Sequence, residues 1–142
     1  MAYLKRGKSV VQGALNYEEG SWTPTFGTGI ASANCDGRYR KIGRFVFISA
    51  TLAEIGCTST SSVEGVIGGL PFTPAFASDM TVGYVYQIEL PANAVALGVR
   101  VIASADIIYM QWSRDHLATI GAVGSQFDHA SAQINFTGCY VI

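Results

Sequence analysis

The chain has 142 residues, of which 49% are hydrophobic and only 13% charged, about half the roughly 25% charge of an ordinary soluble domain. The length suits one domain with a single core, and high hydrophobicity with nine bases against ten acids excludes a disordered chain. So thin a charge coat predicts that part of the surface faces protein and that the chain assembles with copies of itself.

No apolar run approaches the roughly 20 residues a membrane helix needs; the most hydrophobic stretch, residues 80–110, is interrupted by Glu89, Arg100 and Asp106. No membrane insertion is expected. Residues 1–12 carry bases without the apolar core of a secretory signal. Seven of the nine bases fall in residues 1–44, but a nucleic-acid partner would ask for a strongly basic domain. Residues 1–17 therefore read as a solvated connector, and no nucleic acid is expected. Cys35, Cys57 and Cys139 lack CxxC spacing and are odd in number, which fits free thiols folded in a reducing cytoplasm. Asn135-Phe136-Thr137 fits a glycosylation pattern, but it sits inside an alternating run and reads as strand.

Sixteen glycines punctuate short runs rich in Val, Ile, Thr, Tyr and Phe with period-two alternation, the mark of strands. In chain order, strands are predicted at 22–26, 38–42 and 45–52. The third is apolar on both faces, with Phe45 and Phe47 opposite Val46, Ile48, Ala50 and Leu52. A sandwich covers only one face of a strand, so Phe45 and Phe47 mark either a subunit contact or a surface under a loop. Further strands are predicted at 63–70, 82–90, 95–102, 106–112 and 132–142, eight or nine in all. No segment of helical length shows a 3.6-residue apolar period. The expected fold is all-β, an antiparallel β-sandwich of jelly-roll-like type.

Chemistry has few carriers. The two histidines, His116 and His129, each follow an aspartate; neighbours on an extended chain point to opposite faces, which argues against a catalytic triad, and no GxSxG elbow is present. Metal ligands are scattered without motif spacing. The glycines of 65–69 match no phosphate-binding loop and read as strand bends, so neither metal nor cofactor is expected. The basic run Arg38-Tyr39-Arg40-Lys41-Ile42-Gly43-Arg44 reads as a phosphate-gripping segment or, better suited to a turn near Gly43, as a hairpin with basic outward positions. Tyr109, Trp112, Arg114, Asp115 and His116 set aromatics beside hydrogen-bonding groups at a strand end. That is the pattern of a carbohydrate site, unless Trp112 is core.

Four blocks in order, Glu18-Glu19-Gly20-Ser21-Trp22-Thr23-Pro24-Thr25-Phe26, Gly37-Arg38-Tyr39-Arg40-Lys41-Ile42-Gly43-Arg44-Phe45-Val46, Gly68-Gly69-Leu70-Pro71-Phe72 and Phe136-Thr137-Gly138-Cys139-Tyr140, resemble the C-terminal domain of bacteriophage tail fibres and tailspikes. The resemblance covers residues 18–142. It implies a β-sandwich that forms a homotrimer at the tip of a fibre or spike of the virion tail. Its partners would be the rest of that fibre or spike and a host surface polysaccharide or lipopolysaccharide. Family members carry the domain behind a long stem, where any enzymatic activity resides, so the implied role is non-enzymatic: trimerisation with host attachment, a trimerisation and stability cap alone, or another virion structural role without ligand binding. Residues 1–17 would then be a remnant of the stem.

Overall fold

The computed structural model describes residues 16–27, 30–57, 65–121, 126 and 131–142. The connector before residue 16, Asp128 and His129, and the side chain of Cys57 lie outside these. The strands are β1 Tyr17–Trp22, β2 Thr25–Phe26, β3 Ile30–Ile42, β4 Phe45–Cys57, β5 Val66–Gly68, β6 Ser78–Tyr86, β7 Ala94–Val101, β8 Ile107–Arg114, β9 Leu117–Gly121 and β10 Ala132–Val141. They hydrogen-bond in the order β1-β3-β4-β10-β6-β7-β8-β5-β2, with β9 alongside β8, and every pairing is antiparallel.

β6 makes the sheet curl. Its residues 78–80 pair with β7 and its residues 81–86 with β10, so one strand serves both halves of the molecule. The halves close over one core, to which β4 and β10 give Val46, Ile48, Leu52, Ile134 and Phe136 while β7 and β8 give Val99, Val101, Ile108, Met110 and Trp112. The all-β expectation is met by a sheet folded over itself. Gly138 is required at the curl, because the Met80 side chain occupies the place a Cβ there would take.

The predicted basic hairpin forms: Ile42 faces Phe45 across a two-residue turn in which Gly43 has φ of 60°. Its bases meet acids, Arg38 beside Asp36 at 3.3 Å, Arg40 beside Glu19 at 3.8 Å and Lys41 beside Glu18 at 3.9 Å. Other elements differ from the sequence reading. The single strand predicted at 22–26 is broken by Thr23 and the buried Pro24, which carry the chain from β1 in one half to β2 in the other. The strand predicted at 82–90 starts earlier, at Ser78, and stops at Tyr86, where Gln87 takes a φ of 50°. β9 was not anticipated, since its residues carry no clear alternation.

Two irregularities reset which side chains point inward. Against β10, Val82 faces Phe136 and Tyr84 faces Asn135, leaving Gly83 as an extra residue. A bulge of one residue moves everything beyond it to the opposite face. Tyr84 and Tyr86 therefore point outward, although Met80 and Val82 on the same alternation point inward. In β4 the extra residue is Glu54, with φ of 54°, between Ala53 facing Gln133 and Ile55 facing Ala132. The shift brings Ile55 into the core, where it is fully buried.

Candidate functional site

The five residues predicted for a carbohydrate site do not share one surface. Tyr109 and Trp112 are three apart on β8, and an odd separation on a strand places them on opposite faces. Trp112 is 2% exposed, and its indole Nε1 donates to Gln126 Oε1 at 2.7 Å. Its ring is core and offers no stacking platform. Tyr109 lies on the outer side, in a shallow hollow of about 390 Å³ with Arg100 and Gln111; Arg100 pairs with Asp79 at 3.7 Å. Arg114 Nε donates to the Ala118 carbonyl at 2.9 Å and so ties the β8–β9 hairpin.

Asp115 and His116 form the turn of that hairpin. The expectation that adjacent residues point apart fails here, because His116 takes a φ of 53° in the turn and its Nε2 comes within 3.2 Å of Asp115 Oδ1. Both side chains are exposed to solvent. Among the described residues, no group of three or more His, Cys, Asp or Glu side chains could hold a metal ion.

A more continuous surface lies on the outward face of β1, β3, β4, β10 and the end of β6. Residues directly opposite in an antiparallel ladder share a face, so the register reads as rows. The first row is Tyr17, Ile42, Phe45 and Val141. The second is Glu19, Arg40, Phe47 and Cys139. Then the character changes, to Arg38, Ser49 and Thr137, next to Asp36, Thr51, Asn135 and Tyr84, and last to Asn34, Ala53, Gln133 and Tyr86. Phe45 is 54% and Phe47 46% exposed, so neither is covered by a described segment of its own chain. Burial raises the Cys139 thiol above its usual range.

The middle rows are hollowed. A depression of about 230 Å³ is lined by Asp36, Arg38, Ser49, Thr51, Asn135 and Thr137 among others, and a neighbouring one of about 360 Å³ shares Arg38, Ser49 and Thr137 with it. Tyr84 and Tyr86 stand at the far edge as a parallel pair, ring centroids 6.2 Å apart and planes 14° from one another. Sequence reasoning missed both tyrosines as surface groups. The available signal was Gly83, since a glycine inside a strand pattern often marks a bulge.

The four sequence blocks that carry the resemblance converge in the fold. Trp22 packs over Gly37 and Tyr39 over Gly20, each directly opposite in the β1–β3 ladder; a Cβ on Gly37 would meet the indole at 2.5 Å, and one on Gly20 the phenol ring at 2.8 Å. Tyr39 also donates to Glu18 Oε1 at 2.8 Å and meets Phe72 edge-on at 5.5 Å. Lys41 Nζ lies 5.3 Å from the Phe72 ring centroid. From the fourth block, the buried Tyr140 donates to the Phe72 carbonyl at 3.0 Å, and burial pushes its ionisation well above the usual tyrosine range. These contacts tie the four blocks together within the sheet.

The fold is similar to part of a phage tailspike. The chain superposes on the crystal structure of the Dettilon tailspike protein with a TM-score of 0.70 at 17% sequence identity, over 88% of this chain and 24% of that one. The chain thus corresponds to about a quarter of that protein's length. No family model matches the sequence, and no curated protein matches it.

Proposed function

We propose that the chain is a non-enzymatic C-terminal tip domain of a bacteriophage tail fibre or tailspike, which assembles as a homotrimer and attaches the virion to a host surface polysaccharide or lipopolysaccharide. The observation that carries this is the exposed band of Ile42, Phe45 and Phe47, backed by Val141 and Cys139, on an otherwise well-formed sheet. Apolar side chains gathered on one face gain about 25 cal/mol per Å² when another surface removes them from water, and clustered exposure of this kind marks protein contacts. The tailspike-like fold and the thin charge coat support the same reading. Light scattering of the purified chain is expected to give a trimer mass, shifted to monomer by Phe45→Glu; a monomeric wild type would refute the assembly.

A second reading, a trimer clamp with no ligand of its own, draws on the dispersal of Tyr109, Trp112, Arg114, Asp115 and His116 over two faces and a turn. It predicts the same mass and no saccharide binding.

A further inference from the structure

We infer that the hollow across β3, β4 and β10, together with the Tyr84–Tyr86 pair next to it across the β10–β6 ladder, is a binding site for an uncharged saccharide with vicinal hydroxyls. This rests on the attachment reading above and supplies it with a site. A sheet face made only to meet water would be coated with long charged side chains, as Lys and Glu are on exposed surfaces. Here the central rows carry the short groups Ser49, Thr51, Thr137 and Asn135, and a depression of about 230 Å³ lies between them. Short side chains lose little rotamer freedom when a ligand orders them, and the four strands beneath hold them rigidly.

The chemistry is specific. Among the described residues, Arg38 and Asp36 are the only ionisable groups lining this depression, and they pair with one another at 3.3 Å, so their charges offset and favour no anionic sugar. Side by side they still present a donor and an acceptor, the arrangement that two neighbouring hydroxyls of a sugar ring satisfy together. Asn135 is oriented by Gln133, whose Nε2 donates to its Oδ1 at 3.0 Å, leaving the Asn135 amide hydrogens for a ligand oxygen. The Thr137 hydroxyl gives its proton to the Ile48 carbonyl at 2.9 Å, so it acts toward a ligand as an acceptor. At the edge, the rings of Tyr84 and Tyr86, 46% and 47% exposed, offer the apolar flank against which the C–H face of a pyranose packs. The Tyr109 hollow has Arg100, which pairs with Asp79, but apart from its phenol it is lined by Ala77, Ile102 and Met110 where this one has Ser and Thr hydroxyls.

The test is a titration of the isotope-labelled full chain with methyl glucoside, methyl galactoside, methyl mannoside and, as the charged comparison, glucuronate, followed by NMR. Shifts are expected for neutral glycosides at Thr51, Asn135, Thr137 and the two tyrosines, unchanged by added salt. Tyr84→Ala and Asn135→Ala should each weaken binding at least about tenfold, equivalent to about 1.4 kcal/mol, while Tyr109→Ala leaves it unaltered. These residues are on the surface, and unchanged mass and melting of the variants will show that they fold. Shifts that map to Tyr109 or to the 114–116 turn overturn the site and leave attachment standing. Tighter binding of glucuronate that fades with salt overturns the ligand class. A trimer that responds to none of the glycosides overturns the inference and leaves the clamp reading, whereas a monomer defeats the assembly independently of any sugar.

Discussion

The outward face of β3, β4 and β10 has two ends that differ in almost every respect, although the same three strands run through both. At one end Ile42, Phe45 and Val141 lie side by side; six residues along, on the order of 20 Å at the rise of a strand, the same strands present Asp36, Thr51 and Asn135. Between them Arg40 and Phe47 mark the transition. The lesson is that a strand need not be one functional unit. Because only the backbone ladder is shared, each row can take its own character, apolar in one stretch and polar in the next.

The sharpest way to break this comparison is to place the same charge in the apolar and in the polar stretch of β4. Phe47→Glu is expected to dissociate the proposed trimer, since a charge buried without a partner costs about 3–5 kcal/mol; Thr51→Glu is expected to leave it intact. Sedimentation of both variants decides the matter, and equal behaviour would mean that the two ends are not distinct. Next in size is Trp112→Ala, expected to destabilise by about 3–5 kcal/mol because the ring is core. A ligand-stacking tryptophan would leave the melting temperature where it was. Gly138→Ala strikes the curl that both ends share. Its methyl must displace Met80, at a cost of about 1–3 kcal/mol, and a melting curve should fall by about 2–4 °C for each of these.

Smaller effects separate the ends again. Beneath the apolar end, burial keeps Tyr140 protonated in the folded state above its usual ionisation range. The stability this provides is complete below the unfolded value near 10 and is lost as pH rises beyond it, because the unfolded chain then releases a proton that the folded chain retains. Denaturant titrations are expected to show that alkaline loss, and Tyr140→Phe to flatten it while costing about 1 kcal/mol at neutral pH through the lost hydrogen bond to Phe72. Beside the polar end, Glu54→Gly relieves a left-handed backbone and is expected to stabilise by up to about 1 kcal/mol without changing the oligomer mass.

Much of the fold was legible because alternation is a local property. The runs at 38–42, 45–52, 95–102, 106–112 and 132–142 all fall on or within a residue of real strands, and counting faces on β4 set Phe45 and Phe47 opposite the core, leaving open whether a loop lay over them. What failed was whatever depends on a partner strand. Gly83 hints at a bulge, but only the pairing with β10 fixes it, and without it Tyr84 and Tyr86 appear to point inward with Met80. Likewise, Tyr109 and Trp112 look like neighbours along the chain, yet the core claims one ring and leaves the other outside. The hollow at Asp36, Thr51 and Asn135 draws on three strands far apart in sequence, and no spacing announces it.

The reciprocal packing of Trp22 on Gly37 and Tyr39 on Gly20 bears on how β1 behaves at the rim of the sheet. Slipping this strand by two residues in one direction would oppose Trp22 to Tyr39; in the other it would leave the two glycines facing one another with both rings stranded. Either misalignment forfeits two contacts at once. A border strand is held along one side only, and this paired lock is what fixes its alignment there.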